Sequence, residues 1–410
     1  MQRARLLFAM LAALLLAAAP AAAQEKQPIR IGAIYILSGA FATYGEFARN
    51  GIQLAVDEIN ESGGILGRPV AFMMEDSQGK ANVAIQAARK LVFQENVDLL
   101  MGLDSSGVAN GIAPVVPELQ RPFLITHAAS PDVTGKLCNK WLFRNSVNVN
   151  QNMKAAALVA KELDARRWTT IGPDYAFGHQ SWEFFQKYLK AEKPDVEFMA
   201  ETAFPKFGAE DFTPFINAVI AAKPDGVLIS EWGGDLVNFV RQANNLGFFD
   251  QDFELLMTLG AATEVLYALG DQMPEGKWVG TRYWFLGKDT PRNKAFVEAY
   301  HKRFGNYPSY NAQNAYAGVY TFKAAIEKAD TVEPERVIEA MSGLEVEAPI
   351  GTYTIRREDH QALVDGFWGV TKASGDYPIR ILEPMRVFAA ADITPPPEET
   401  GCNLQQTAEQ

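Results

Sequence analysis

The chain has 410 residues, of which 48% are hydrophobic and 21% charged, and a formal net charge of −11. These proportions sit near globular averages, and the length exceeds what one hydrophobic core serves, so two domains are expected. A diffuse acidic balance with no basic run argues against a nucleic acid or an anionic membrane surface as partner.

The chain opens with Arg3 and Arg5, an apolar run from Leu6 to Ala19, then Pro20 and Ala21-Ala22-Ala23 before Gln24. A basic start, a short apolar middle and a small-residue end make a cleavable secretory signal at 1–23. A membrane anchor needs about 20 apolar residues, and this run has about 14. No cysteine follows the cleavage site, so the expected mature protein is unlipidated and works outside the cytoplasm as a soluble protein. Cys138 and Cys402 are the two cysteines. An even count in an exported chain favours a disulfide, which would pin the tail carrying Pro395-Pro396-Pro397 to the body.

From Ile29 onward a β-branched apolar run, a turn and an amphipathic stretch recur. Ile29–Ile36 predicts a strand. Tyr44–Glu61 predicts a helix with Ile52, Leu54, Ala55, Val56 and Ile59 on its inner side, stopped by Ser62-Gly63-Gly64. Val70–Glu75, Val97–Met101 and Pro122–Thr126 predict strands, and Ala81–Gln94 a helix. The rhythm restarts after Phe143-Arg144. Asn150–Leu163, Gln180–Ala191, Phe212–Ala222 and Asp235–Leu246 read as helices. Trp168–Pro173, Val196–Ala203, Gly226–Ser230 and Leu255–Thr258 read as strands. Pro291–Phe304, Asn311–Lys328 and Pro334–Met341 follow as helices, and Gly351–Ile355 and Gly366–Thr371 are β-like. Two such alternations predict an α/β protein of two doubly wound parallel-sheet lobes.

Ligands of open α/β sheets sit beyond the carboxyl ends of the strands. Two loops there suit an anion: Asp104-Ser105-Ser106-Gly107 and Ala128-Ala129-Ser130-Pro131. Backbone N–H groups and hydroxyls converge at each, although ordinary serine capping explains either one alone. The facing loops carry Tyr44, Tyr175, Phe177 and Trp232, a stacking surface or lids on the core. His127 stands at a strand end, as a ligand contact or a hydrogen-bonded structural histidine. Four histidines lack metal-ligand spacing, and no nucleophile elbow occurs. Gly270 to Gly276-Lys277 is one residue too long for a phosphate loop and is followed by Trp278. Neither a cofactor, a metal nor a catalytic role is predicted, and an exported hydrolase is disfavoured.

Taken together, Ile31-Gly32-Ala33, Leu37-Ser38-Gly39, Tyr44-Gly45, Arg49-Asn50-Gly51, Ala55 to Asn60, Gly63 to Arg68 and Glu75-Asp76-Ser77 resemble the N-terminal signature of periplasmic substrate-binding proteins of the Leu/Ile/Val-binding type, which serve ABC importers. Met101-Gly102, Ser105-Ser106-Gly107 and Phe143-Arg144 continue the match. The resemblance implies two lobes joined by three crossovers and closing on ligand as a hinged trap. It places a first lobe at 27–146 and 283–350, a second at 147–282 and 351–390, and a tail at 391–410. It also implies a monomer that delivers a small molecule to a membrane permease. By resemblance Ser106 and Ser130 hold a ligand carboxylate with the Ala128 backbone, Tyr44 lines the same lobe, and Phe177 and Trp232 face it. Ser105, His127, Ala129 and Tyr175 complete the candidate set.

One departure bears on the ligand. Amino acid binders of this type often carry an acid on the loop here written Thr258-Leu259-Gly260-Ala261-Ala262-Thr263, which has none before Glu264. An ammonium buried without a carboxylate is costly. The expected ligand is therefore a small aromatic or aliphatic carboxylate, ahead of a branched-chain amino acid and then an amide or urea. A periplasmic ligand-sensing subunit of a receptor is the alternative role.

Overall fold

The structure, a computed structural model, describes residues 26–404. The expected signal segment and residues 405–410 of the tail lie outside the described residues. No helix among them is long and apolar enough to cross a membrane.

The first sheet contains β1 (Ile29–Tyr35), β2 (Val70–Asp76), β3 (Leu99–Gly102), β4 (Phe123–Ile125) and β5 (Leu142–Arg144), all parallel, in the order β2-β1-β3-β4-β5. The three strands on the β3 side are short, yet every residue in them is buried. Helices covering both faces of a parallel sheet demand such continuous apolar runs. Helices Ala42–Glu61 and Tyr310–Ala329 pack together on one face. Gly51 permits this approach, because a Cβ there would lie 2.1 Å from the Ala312 carbonyl oxygen.

In the second lobe β6 (Arg167–Ile171), β7 (Glu197–Phe198), β8 (Gly226–Ile229), β9 (Glu254–Met257) and β10 (Trp278–Thr281) are parallel. A separate hairpin of β11 (Glu345–Ala348) and β12 (Gly351–Thr354) follows. Then β13 (Gly366–Lys372) and β14 (Ile381–Phe388) complete the sheet in the order β14-β13-β10-β9-β8-β6-β7. The expected parallel sheet thus gains two antiparallel strands at one edge, β13 against β10 and β14 against β13.

Two expectations are corrected and one strand is added. The strand expected at Val196–Ala203 contracts to two residues, with one isolated bridge from Ile171 to Ala203, because it is an edge with a single neighbour. β14 was not expected; its Glu383-Pro384 and exposed face break the alternation, and proline is tolerated on an edge strand. Residues 351–354, assigned to the second lobe, pair with β11, and the Tyr353 hydroxyl bonds Thr321 Oγ1 of helix Tyr310–Ala329 at 2.7 Å. The third crossing therefore comes after Thr354.

Three segments join the lobes: 145–148, 282–290 and 355–365. The tail closes back on this hinge region, where Thr394 Oγ1 accepts from Gln151 Nε2 at 2.9 Å and the Pro395 carbonyl from Arg356 at 2.8 Å. The expected disulfide between Cys138 and Cys402 is present, with its Cα atoms 5.6 Å apart.

Candidate functional site

Each sheet has a point where consecutive connections leave in opposite directions, between β1 and β3 in the first and between β6 and β8 in the second. Such switch points open a crevice at the carboxyl ends of the strands. The two crevices face each other. Between them is a narrow cleft lined by Asp104, Ser106, Ala129, Tyr175, Phe177, Trp232, Leu259, Arg282 and Tyr310.

Ser106, Ala129, Tyr175, Phe177 and Trp232 were expected in this wall, and the structure brings all five together. Tyr175 is the residue just before helix Ala176–Glu192, so the strand end aims it into the gap. Its hydroxyl accepts from Trp232 Nε1 at 2.9 Å and bonds the Ser105 hydroxyl across the lobes. Tyr44 stands behind the wall. Its ring lies 5.2 Å from Trp232 and 6.0 Å from Tyr310, and its hydroxyl accepts from the Gly233 N–H at 3.1 Å. Gly233, at φ 56°, is needed there, because a Cβ would strike the Phe41 ring.

The other expected residues do different work. Ser130 Oγ accepts from the Asp132 N–H at 3.3 Å, capping a short 3₁₀ turn, and Ser130 is absent from the cleft wall. His127 is buried, with Nε2 donating to the Asn311 carbonyl at 2.8 Å and Nδ1 facing Asp104 Oδ1 at 3.1 Å. It is a structural bridge between a strand end and helix Tyr310–Ala329. The Ala128 N–H is taken by the Leu103 carbonyl at 2.8 Å, while neither the Ala129 nor the Ser130 amide donates to a backbone carbonyl among the described residues.

Arg282 and Tyr310 went unnoticed in the sequence. Arg282 directly follows β10, a strand whose four residues start with Trp278 and include Gly280, too short and mixed to stand out. Had β10 been seen, the strand-end rule would have selected Arg282. Its guanidinium is buried, rests 5.2 Å from the Tyr310 ring centroid, and donates from Nη1 to the His127 carbonyl. Its Nε–H has no acceptor among the described residues. Burial lowers its pKa, and no carboxylate pairs with it there.

The nearby acids are held towards their neutral forms. Burial pushes Glu264 up to about 7; one oxygen accepts from Asn311 Nδ2 and the other has no partner. Burial and the neighbouring Asp235 raise Glu231 well above the usual carboxylate range, with both oxygens unpartnered. Burial lifts Asp235 itself to about 6. No group of three or more histidine, cysteine or acidic side chains among the described residues is arranged to hold a metal ion.

The profile of a periplasmic binding protein family matches residues 28–376. The chain belongs to that family. A Leu/Ile/Val-binding protein from Rhizobium johnstonii is 29% identical over 329 residues, 80% of this chain and 87% of the relative. An amino acid ABC transporter substrate-binding protein from Pseudomonas fluorescens has a solved structure that superposes with a TM-score of 0.81 at 28% identity. The match covers 92% of this chain and 99% of that one. A solute-binding protein of an ABC transporter from R. palustris, solved in complex with benzoate, shares the fold at 21% identity with a TM-score of 0.80, covering 92% and 100%. Periplasmic binding proteins of this kind present small molecules to an ABC transporter and are not enzymes.

Proposed function

We propose that this protein captures a small aromatic monocarboxylate between its lobes and delivers it to an ABC importer, after removal of its signal segment during export. The observation that carries the reading is Arg282: a buried cation in the cleft wall, without an acidic partner and with a free donor. An uncompensated buried charge is expensive, and an anionic ligand relieves it. Ser106 and the Ala129 amide supply further donors beside it. Tyr175, Phe177, Trp232 and Tyr310 supply aromatic faces against which a ring can stack.

A zwitterionic amino acid needs an acid for its ammonium as well. Asp104 lines the cleft, but one of its oxygens already accepts from the Ile36 N–H and the other lies 3.1 Å from His127 Nδ1. Glu231 and Glu264, raised by burial, are weak partners for a cation near neutral pH. The benzoate-bound structure supports the capacity of this fold for such a ligand. Calorimetric titration with benzoate, phenylalanine, leucine and benzamide is the test. Benzoate is expected to bind tightest; a preference for leucine or benzamide would overturn the reading.

A further inference from the structure

Four successive carbonyls of the ligand loop, 127–130, are each held by a donor from the hinge side. Arg282 of the second crossover takes that of His127. Arg144, the last residue of β5, takes that of Ala128 at 3.4 Å and also that of Ser130. The Val149 N–H, where the first crossover enters helix Val149–Ala160, takes that of Ala129 at 2.8 Å. Gln361 of the third crossover orients Arg144, its Oε1 accepting from Nε at 2.7 Å while its Nε2 donates to the Ser146 carbonyl at 2.8 Å. Arg144 is fully buried, and every side-chain partner it has is a neutral oxygen, the fourth being Thr134 Oγ1.

A trans peptide is planar, so its carbonyl and the following N–H point in opposite directions. The cis bond found among the described residues is Glu383-Pro384, far from this loop. Holding the Ala128 carbonyl therefore turns the Ala129 N–H to the opposite side, and Ala129 lines the cleft. The Val149 contact acts likewise on the Ser130 N–H. Both amides are without a backbone acceptor among the described residues. The grip on the Ser130 carbonyl strands no donor, because Pro131 has no N–H.

We infer that Arg144 is a positioning residue for the ligand. Together with Val149 it fixes the loop so that the Ala129 amide is offered at the cleft wall as a donor to a carboxylate, with the Ser130 amide next to it in the chain. Through Gln361 it ties that loop to the crossovers that must bend on closure. The inference rests on the carboxylate reading above, and its test separates the two.

The test uses the full exported chain, benzoate as probe and two variants. Arg144→Lys keeps the charge but removes the planar fork. Val149→Pro deletes one N–H at the first helical position, where proline is preorganised. It follows Asn148, whose extended φ of −94° and ψ of 175° suit a residue before proline. Each folded variant is expected to bind benzoate about tenfold more weakly or worse, the value of one hydrogen bond to a charged group. Ligand-free Val149→Pro should melt near the wild type. Amide exchange of the ligand-free protein over 126–134 reads loop order without any ligand, and is expected to quicken in Arg144→Lys with the lobe cores unchanged. Unaltered affinity in the folded variants overturns the inference, and Val149→Pro alone decides if Arg144→Lys fails to fold. If the wild type binds no benzoate, the carboxylate reading fails instead. Loop exchange then decides the positioning role: quickened upholds it, unchanged removes it.

Discussion

The two halves of the cleft are chemically unlike. The first lobe and the second crossover contribute Asp104, Ser106, Ala129, Tyr310 and Arg282, while the second lobe contributes Tyr175, Phe177, Trp232 and Leu259. One half is mostly polar groups around a cation, with the single ring of Tyr310; the other is mostly aromatic. A ligand that satisfies both is charged at one end and flat and apolar at the other. Closure is then favourable only when each half meets its own end, which gives specificity from two moderate surfaces rather than one elaborate one.

The sharpest way to break this contrast is to remove the cation. Arg282→Met should weaken benzoate by about 3–5 kcal/mol, the cost of leaving one member of a buried charge pair alone. Ligand-free stability should hold or rise, since an uncompensated charge leaves the interior. Titration together with thermal melting separates the two effects. A Kd close to wild type would mean that the donors of the first half suffice and Arg282 serves the fold.

The seam between the halves carries the next effect. Glu264 sits at the start of helix Thr263–Leu269, which docks on the other lobe through Thr263 Oγ1 to the Tyr307 carbonyl and the Tyr307 N–H to Tyr267 Oη, each at 3.0 Å. Burial lifts its carboxyl from 4.5 to about 7, so the folded protein holds this proton more tightly than the unfolded chain does. The sign follows: Glu264 costs the fold nothing below about pH 4.5, and stability falls as pH rises to about 7, levelling off above. At 1.36 kcal/mol per unit the total approaches about 3 kcal/mol. Glu264→Gln should therefore gain on the wild type in melting temperature as pH rises through that window. A difference that stays constant with pH would show that the carboxyl is not the source.

Within the donor half, the two serines separate. Ser106→Ala should cost about 1.5–3 kcal/mol of benzoate affinity, the range for a hydrogen bond to a charged group. Ser130→Ala should spare most of the affinity, because its hydroxyl faces the Asp132 N–H and its backbone supplies the contact. Equal losses in both, measured by titration, would restore the serine pair as joint carboxylate ligands.

The aromatic half was legible in the sequence and the charged half only partly. Tyr175 and Trp232 directly precede clear helices and Phe177 lies in the first turn of one, so their positions were visible from periodicity. Ser106 and Ala129 were found by the same strand-end rule. Arg282 was hidden by β10, a four-residue strand whose Gly280 packs against Trp368, so its identity depends on a partner far along the chain. Ser130 was ambiguous in the sequence because capping and binding use the same hydroxyl, and its distance to the Asp132 N–H favours the cap. β14 was obscured because its alternation is broken at an exposed edge, and β11 because it has only four residues, two of them glutamates.

The smallest effect tests the rings themselves. Trp232 has two duties: it lines the cleft, and it packs at 4.5 Å on Phe41 and 5.7 Å on Phe207, where the lobes meet. Aromatic pairing contributes about 0.5–1.5 kcal/mol beyond area burial, so Trp232→Ala should weaken benzoate roughly two- to tenfold on the standard conversion. Acetate has a carboxylate and no ring, and it serves as the control. If Trp232 stacks on the ligand, the variant lowers the benzoate-to-acetate affinity ratio, whereas lost lobe contact would weaken both anions alike. Trp232→Phe keeps a ring while deleting the donor to Tyr175, and should retain most of that ratio. An equal loss for benzoate and acetate in Trp232→Ala would make the ring a closure contact, and the division of the cleft into a charged half and an aromatic half would no longer hold.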